Sequence, residues 1–546
     1  MVDAGLISVS VILPFILIAF NLLVMAKYID PEAASGHWIA KLFILLGMLL
    51  AECTVLLLPL DVGNGTNAIS GSGGISMTVL WQIAYVSIAV LVVVVMPFYI
   101  FYYEADDEGL EVAEKAETCL DGLKLRLMAC KRNLMSACIY TCICMVLAIA
   151  GFLVLYNTIA KTEIPYRLMT VSVSSTGFLP VGTPYKTSVD TSACGSYICP
   201  CGVGSGCTPT SNTLSMDITI VVFMAVLMTF GGWFIFSIYT GIGLVALPMD
   251  AIQSYIQRPK MLSASDARNQ KKALLNKAKD LIAMGDEMAE RLYEAVENAR
   301  GGGAKRKAQR AHKEELKRYR LLVDQLEKEL EVWQMGDPAS YRDHYNPLVP
   351  YLNLLFGIVG GIISIVWILH IIIYMLFNPP IYAFLNKYLA QLDSFFSLFS
   401  TLTIAVMSMY LLLAASKGAA KFGTRFFLVS VHPLEPGKTL LNSFIFNVQL
   451  VLLCVLPTVQ FSTNAFNAYA VYTSAGIIFG NQMNYTKGLK VFYQYNIFLF
   501  MLLSFVLLSI IYFVSAKDAI PFQPERAHPP LFSHFHLTHP PPHFHA

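Results

Sequence analysis

Charged residues are scarce in this sequence: only 14% of its 546 residues are Asp, Glu, Lys or Arg, against about a quarter in soluble proteins. Apolar residues make up 56% of the chain, and the mean hydropathy is +0.58. Too few charges remain to cover soluble domains, which argues against a soluble enzyme. The net charge of +2 gives no basic excess of the kind that nucleic-acid binding needs, so we expect no nucleic-acid partner.

Catalytic and metal-binding motifs are also missing. No Ser/His/Asp, Cys/His or His-Glu-x-x-His arrangement occurs at usable spacing. Gly437-Lys438-Thr439 resembles the end of a phosphate-binding loop, but the first glycine of that motif would fall at His432. The tail histidines are typical of a disordered tail, with loose metal binding as the alternative: His528, His534, His536, His539, His543 and His545. We expect neither catalysis nor a firmly bound cofactor or metal.

Nine apolar runs are each long enough to cross a membrane as a helix, which takes about 20 residues. They are residues 5–27, 38–60, 79–103, 134–157, 216–247, 350–377, 394–415, 441–461 and 491–515. The runs lack the alternation of barrel strands. The sequence therefore predicts an all-α polytopic membrane protein with nine transmembrane helices that contact membrane lipids. The first run is too long for a signal peptide and has no Lys or Arg before it, so we expect it to be retained.

Lys and Arg are unevenly distributed over the connections between these runs. With the N-terminus outside, 32 of the 38 Lys and Arg residues fall on the cytosolic side and 6 on the opposite side. Without the long 249–349 connection the ratio is still 13 to 6. The positive-inside rule therefore predicts a luminal or extracellular N-terminus and a cytosolic C-terminus.

Two features of the outside connections agree with this orientation. Asn64 and Asn484 begin the two Asn-x-Ser/Thr sequons and are glycosylation candidates. Four cysteines in the 158–215 loop form an even set, which on an oxidising side predicts two disulfides of open pairing: Cys194, Cys199, Cys201 and Cys207. A zinc site is the rival interpretation, but no His is near and the spacing does not match.

The 249–349 segment differs sharply from the rest, with 19 basic and 16 acidic side chains. Apolar residues recur at heptad spacing on both sides of Gly301-Gly302-Gly303, with Gly285 as a gap in the first half. This pattern predicts a cytosolic antiparallel coiled-coil hairpin, whose outer face is either solvated or docks a partner. The predicted domains are then helices 1–5 in residues 1–248, the hairpin, helices 6–9 in residues 350–515, and a disordered His- and Pro-rich tail in residues 516–546.

Two tetrapeptides in this segment fit the Tyr-x-x-bulky-apolar pattern that sorting adaptors bind. One runs from Tyr319 to Leu322 and the other from Tyr345 to Leu348. Tyr319 also lies on the heptad stripe, where it is more simply a core residue. Both interpretations stay open.

Glu52 and His370 stand out because ionisable groups are costly at bilayer depth unless they are paired or hydrated. Both are predicted to lie about 12 to 14 Å below the outer face, at 1.5 Å per residue. One hypothesis is a Glu52–His370 pair that senses protons in an acidic compartment. The alternative is a neutral Glu52 hydrogen-bonded between helices.

Three short strings lie at predicted span ends: Leu57-Leu58-Pro59-Leu60-Asp61-Val62, Pro97-Phe98-Tyr99-Ile100-Phe101-Tyr102-Tyr103-Glu104, and Gly243-Leu244-Val245-Ala246-Leu247-Pro248. Physically, the prolines are expected to stop helices and the tyrosines to form an interfacial belt. With the nine spans and the charged insert, these strings resemble the limb-region-1-like (LIMR) family of membrane proteins over residues 1 to about 260.

Within that family the similarity is strongest to its lysosomal cobalamin-transport escort members. The resemblance implies a lysosomal or endosomal membrane protein that assists export of cobalamin, its transported ligand, together with an ABC-type transporter. Two alternatives stay open. One is a plasma-membrane receptor for secreted lipocalins, as other family members are regarded, binding through the 158–215 loop. The other is a transporter that uses Glu52.

Overall fold

Helices fill most of the chain in the computed structural model. It describes residues 4–29, 37–69, 76–104, 119–170, 208–258, 261–297, 315, 316, 319, 322, 323, 325–338, 346, 348–377, 380–422, 424–426, 429–431, 434, 437 and 439–519. The α-helices are α1 Ala4–Tyr28, α2 Trp38–Ile69, α3 Met77–Val90, α4 Met96–Glu104, α5 Cys119–Ile159, α6 Ile220–Ile256, α7 Ala264–Glu297, α8 Leu348–His370, α9 Phe384–Phe395, α10 Ser397–Phe422, α11 Leu441–Ala465, α12 Asn467–Ala470, α13 Lys490–Gln494 and α14 Ile497–Ala519. Three π-helical segments interrupt or join them: Leu91–Val95, Ile371–Met375 and Gly476–Met483.

Eight helical stretches in the described part of the chain are long and apolar enough to cross a membrane. The prediction of a polytopic helical membrane protein is therefore confirmed. The first helix, α1, has 25 residues. Its described apolar stretch, Ile12–Tyr28, is shorter than a full membrane span. The count of nine spans and the orientation stay predictions.

The expectation that prolines end the spans is wrong at two positions. Pro59 lies inside α2 and Pro248 inside α6, and both helices continue beyond them. A proline removes one backbone donor, and in a transmembrane helix the neighbouring turns can continue. As a result α2 carries Asn64 within the helix rather than in a loop, and α14 extends to Ala519, beyond the predicted start of the tail.

The 158–215 connection begins and ends in β-structure, which the all-α prediction missed. Strand β1 Lys161–Thr170 pairs antiparallel with β2 Thr208–Asp217, with Lys161 opposite Asp217 and Thr170 opposite Thr208. A second, shorter pair joins β3 Thr424–Phe426 to β4 Val429–Val431. Both segments are too polar to show as apolar runs, so hydropathy alone does not find them.

Three connections meet at one end of the bundle. Thr162 on β1 forms an isolated bridge with Thr486, and the backbone N–H of Glu163 donates to the carbonyl of Tyr485 at 2.9 Å. The backbone of Ala475 contacts Asp61 from α2. All of these residues belong to connections that the sequence places outside, and we call this the outer end. The 466–496 connection is therefore a packed cap with buried side chains, not a plain loop.

Close helix contacts fix the centre of the bundle. A Cβ at Gly243 on α6 would overlap the carbonyl of Ala414 on α10, and a Cβ at Gly418 on α10 would overlap the carbonyl of Tyr239 on α6. Small residues at such crossings let backbones approach closely in membranes. The two helices therefore cross in direct backbone contact.

Residues Pro248–Ile362 form a compact unit of their own, apart from the unit of Met1–Leu247 with Ile363–Ala546. In this unit, Lys277 on α7 donates to Glu329 at 2.6 Å, and the indole N–H of Trp333 donates to the carbonyl of Ala267 at 2.9 Å. Residues 315–336 are helical wherever they are described, so two helical segments lie side by side. Residues 298–314, with the three glycines, lie outside the described residues.

Candidate functional site

Asp61 is a fully engaged carboxylate at the outer end of the bundle, with only 2% of its surface exposed. Its Oδ2 accepts from the indole N–H of Trp81 at 2.9 Å and from the backbone N–H of Ala475 at 2.8 Å. Its Oδ1 accepts more weakly from the backbone N–H of Ser474, at 3.4 Å. These N–H groups immediately precede the π-helical segment Gly476–Met483, so Asp61 acts as an anion at a helix N-terminus. It fastens the outer cap to α2 and α3.

A chain of neutral amides crosses the bundle beside this cap. The indole N–H of Trp233 donates to Oε1 of Gln460 at 2.6 Å, and Nε2 of Gln460 donates to Oδ1 of Asn484 at 2.8 Å. Nδ2 of Asn484 then donates to Oδ1 of Asn464 at 3.2 Å and to the carbonyl of Gly480 at 2.8 Å. Each buried amide is thus paired without any charge, which is the cheaper way to hold polar groups inside a membrane protein.

The amide chain ends at a cavity of about 320 Å³. Two wall rings stack on each other, Trp233 and Phe498, with centroids 5.2 Å apart. The cavity is lined by Trp233, Tyr374, Met375, Phe377, Pro380, Asn464, Asn484, Tyr485, Phe492, Tyr493, Gln494, Asn496, Phe498 and Leu499. The lining contains no Asp, Glu, Lys, Arg or His. We call this space the outer cavity.

Glu52 lies in the other half of the bundle, at the edge of a second, mainly apolar cavity of about 280 Å³ among α1, α2, α10 and α11. Its Oε2 accepts from Nδ2 of Asn21 on α1 at 2.8 Å. The carboxyl is therefore hydrogen-bonded between two helices. This geometry agrees with the simpler alternative for Glu52.

His370 is fully buried and has a different partner from Glu52. Its Nε2 lies 3.1 Å from the carbonyl of Ala465, which also accepts from Nδ2 of Asn386 at 3.1 Å. A carbonyl only accepts, so Nε2 carries the proton in this contact. Ala465 ends α11, and its carbonyl has no partner within the helix. His370 therefore caps a helix end.

The proposed Glu52–His370 pair does not form, since no hydrogen bond or ion pair joins these two described residues. Glu52 faces Asn21, whereas His370 faces Ala465. Equal depth fixes the position of two side chains along the membrane normal. It does not fix the direction in which each side chain leaves its helix.

The glycosylation and sorting candidates lie in different parts of the described structure. Nδ2 of Asn484, the atom a glycan would need, is engaged in the amide chain, and Asn64 is half-buried on α2. Tyr319 packs against Gly285, where a Cβ would come 2.8 Å from the phenol oxygen; this explains the gap in the heptad stripe. Leu322 is half-buried and Leu348 exposed. Glycosylation and sorting stay predictions.

Some sequence candidates lie outside the described residues: Tyr345, Cys194, Cys199, Cys201 and Cys207. The two predicted disulfides therefore stay a prediction. In the part of the chain that the structure describes, no three His, Cys, Asp or Glu side chains are placed to hold a metal ion.

Comparison with known proteins identifies the family. The family model described as LMBR1-like membrane protein matches residues 5–334 of this chain. The chain belongs to the LMBR1-like (LIMR) family. A LIMR family protein of Oryza sativa subsp. japonica is 30% identical over 523 residues, which cover 94% of this chain and 96% of the relative. A LIMR family protein of Dictyostelium discoideum is 29% identical over 544 residues, covering 95% and 99%. No solved structure matches.

The LIMR resemblance thus extends well beyond residue 260, to nearly the whole chain. The names of these relatives state the family and no ligand, partner or organelle.

The LIMR strings lie at packing contacts as well as at span ends. Gly243 permits the crossing with α10, and the carbonyl of the buried Leu244 accepts from the hydroxyl of Ser364 at 2.6 Å. The tyrosine string of α4 forms ring contacts, with Tyr102 and Tyr103 5.3 Å apart. Pro97 lies in the first turn of α4, directly after a π-helical segment. The remaining residues of the strings are helical: Pro59, Glu104, Leu247 and Pro248.

Several site residues escaped the sequence analysis because only ionisable groups were followed into the spans. Asn21, Gln460 and Asn464 are neutral, yet each joins a buried hydrogen bond between elements. In the sequence, each of these three residues could have been recognised as an amide within or just after an apolar run. The run at 441–461 holds several such amides and becomes the most buried of the eight candidate spans.

Proposed function

We propose that this LIMR protein is a non-enzymatic escort of the lysosomal or endosomal membrane. It assists export of cobalamin by binding an ABC-type partner transporter, and it does not conduct the ligand itself. The docking element is the hairpin that the sequence predicts for residues 249–349 on the cytosolic side.

The observation that carries this proposal is the small size of the outer cavity and of the cavity beside Glu52. Two cavities among the described residues measure about 320 and 280 Å³, near the lower end of the usual range for ligand pockets. Cobalamin, with its corrin ring, amide side chains and nucleotide loop, is much larger than either. The glycine crossings of α6 and α10 leave no room to widen the centre without separating backbones. These dimensions support a partner that supplies the path.

Glu52 gives little support to a transporter with its own polar route. The carboxyl is engaged by Asn21 and adjoins a mainly apolar cavity. An ion or proton route needs successive polar groups, as relays in membrane proteins show. The cavity beside Glu52 includes Ser416, Lys417 and Asn447, but most of its lining is apolar.

The hairpin offers the outer face that docking needs. Lys277 and Glu329 join its two segments, while many other charged side chains of α7 are exposed. Charged faces of this kind give specificity and speed to association.

The test follows labelled cobalamin in cells that lack this protein. We expect the label to accumulate in the lysosomal fraction and wild-type protein to restore export. Glu52→Gln is the discriminating variant: an escort keeps its function, because Gln retains an acceptor for Asn21, whereas a carboxylate-dependent transporter loses it. Normal export without the protein would contradict the proposal, as would failure of the Glu52→Gln variant when it is expressed at wild-type level.

A plasma-membrane receptor for a secreted lipocalin is the second candidate, and one observation favours it. The base of the 158–215 loop is held firmly at the outer end: Lys490 donates to Glu163 at 2.6 Å, and the backbone N–H of Lys487 donates to the carbonyl of Lys161 at 2.8 Å. A rigid base suits a binding loop. Removing residues 171–207 should then abolish binding of labelled lipocalin to intact cells, while the escort function should survive the deletion.

A further inference from the structure

The outer cavity has no assigned ligand, although it is the larger of the two described cavities and lies at the outer end. Its volume of about 320 Å³ suits a single small ring system or two linked rings. Its lining determines which chemistry such a ligand must have.

Charged ligands are disfavoured. The lining has no acidic or basic side chain, and an ion that leaves water needs a counter-charge or several hydrogen bonds to replace its hydration. A neutral ligand avoids this cost.

Four carboxamides line the cavity: Asn464, Asn484, Gln494 and Asn496. Asn484 is already bonded to Gln460, Asn464 and Gly480, and Asn496 donates to Leu376, so Asn464 and Gln494 are the amides that can serve a ligand. A carboxamide both donates and accepts, and so does a hydroxyl group. Asn464 accepts from Asn484, but its own Nδ2 has no acceptor among the described residues. Gln494 is exposed at the cavity. Because these amides both donate and accept, they match a ligand with several hydroxyl groups better than a ligand that only donates or only accepts.

Aromatic rings supply the apolar contacts. Phe498 stacks on Phe492 at 5.7 Å and on Trp233 at 5.2 Å, and both Phe498 and Trp233 are buried. The half-buried Phe492 is therefore the ring of this stack with a face left for a ligand. The face of an aromatic ring is electron-rich, so it attracts the C–H face of a sugar ring, whose carbons carry hydroxyls. Amide edges and aromatic faces together fit a ring that is apolar on one side and hydroxylated at its rim.

The backbone at the cavity is unusual in two ways. Asn496 has φ of +53°, rare for a residue other than glycine, and its Nδ2 donates to the carbonyl of Leu376 at 3.2 Å. Two π-helical segments also end here, one contributing Tyr374 and Met375 and the other followed by Asn484. π-Helical turns are frequent at functional sites.

We propose that the outer cavity binds a neutral saccharide of one or two rings, with its hydroxyls on Asn464 and Gln494 and its C–H face on Phe492. This inference goes beyond the escort function and does not depend on cobalamin.

The test uses the full chain purified in a detergent without a sugar headgroup, since a glucoside or maltoside would compete. Saturation-transfer NMR and calorimetric titration measure binding of glucose, galactose, N-acetylglucosamine and lactose. Glucosamine and glucuronic acid are the charged comparisons. We expect at least one neutral sugar to bind and its charged analogue to bind at least tenfold more weakly.

Two variants locate the site. Gln494→Ala removes an exposed carboxamide of the cavity that has no protein partner among the described residues, so folding should be unaffected. Asn467→Ala is the matched control, because Asn467 is an exposed amide of the same cap that does not line the cavity. We expect Gln494→Ala to weaken sugar binding about five- to tenfold, by loss of one hydrogen bond, and Asn467→Ala to leave it unchanged.

The proposal is overturned if no neutral sugar binds at millimolar concentration, if charged analogues bind equally well, or if both variants behave alike. Binding of cobalamin alone would also overturn it, while leaving the escort function intact. Conversely, sugar binding with normal cobalamin export in cells lacking the protein would support this inference and contradict the escort function.

Discussion

At the scale of single residues, neutral amides and the carboxylates of Glu52 and Asp61 make buried hydrogen bonds between elements of the described chain. Asp61 could be predicted to lie at a span end, but its role could not, because two of its partners come from residues 413 and 414 positions later in the chain. The amides Asn21 and Gln460 were equally hidden, since long-range pairing leaves no local pattern. The depth of Glu52 and His370 was readable from the sequence, whereas their partners were not.

Replacing Asp61 with Asn should destabilise the outer cap. The amide nitrogen would face a backbone N–H or the indole N–H of Trp81, so a donor would meet a donor. The loss should be about 1–3 kcal/mol, seen as a lower Tm in thermal unfolding of the purified protein. Asp217→Asn is the control, because that side chain is 87% exposed and 3.9 Å from Lys161. Equal Tm values for the two variants would contradict the role given to Asp61.

The Glu163–Lys490 pair predicts a pH dependence at the outer end. The hydrogen bond from Lys490 lowers the pKa of Glu163. The stabilising contribution is therefore present above the ordinary pKa of a glutamate, about 4.3, and is lost as the pH falls through the lowered value. The pair should survive in an acidic organelle.

Thermal unfolding of wild type and Glu163→Gln between pH 7 and pH 3 tests this prediction. The difference in Tm should be constant from pH 7 to pH 5 and should shrink towards pH 3. A difference in Tm that stays the same from pH 5 down to pH 3 would show that the pKa of Glu163 is not lowered.

At the scale of elements, span positions followed from hydropathy, while helix ends and strands did not. Pro59 and Pro248 were expected to end their helices, but α2 and α6 continue beyond them. Membrane helices tolerate proline where neighbouring groups compensate for the lost backbone hydrogen bond. Strands β1 and β2 were missed because their sequences are polar and because register is set by pairing over about 50 residues. In residues 249–349 the heptad pattern placed Tyr319 on the apolar stripe, but the sequence did not show that its ring lies against Gly285.

The crossing of α6 and α10 should be intolerant of any side chain at Gly243. Gly243→Ala would place a methyl group on the Ala414 carbonyl and force the helices apart. We expect a large loss of folded protein, measured by size-exclusion chromatography of a fluorescent fusion. Gly231→Ala on the same helix is the control, because nothing lies within 4 Å of its new Cβ. Similar yields from both variants would contradict the close crossing.

Trp333 should hold the two helical segments of the cytosolic unit together. Its indole donates to Ala267, and Lys271 lies over its ring at 5.5 Å. Trp333→Ala should make α7 more sensitive to limited proteolysis in the otherwise intact protein. Val332→Ala, at an exposed neighbour, should not. Equal cleavage rates would argue against paired segments.

At the scale of the whole molecule, composition and span count were enough to predict a polytopic membrane protein, and short strings at span ends were enough for its family. Ligand and partner were not readable, because they depend on surfaces formed by distant residues. The outer cavity combines residues from α6, α11, α14 and the outer cap. The outer cavity and the cavity beside Glu52 are small compared with cobalamin, and this is the reason for proposing a partner that supplies the transport path.

The most direct test of that claim is affinity capture of the tagged full chain in mild detergent, compared with a variant in which residues 262–335 are replaced by a short glycine–serine linker. A variant lacking residues 171–207 is the control for loss of surface in general. We predict that an ABC-type transporter copurifies with the full chain and with the control, and is lost with the hairpin. Retention of the transporter without residues 262–335, or its absence from all three preparations, would contradict the account.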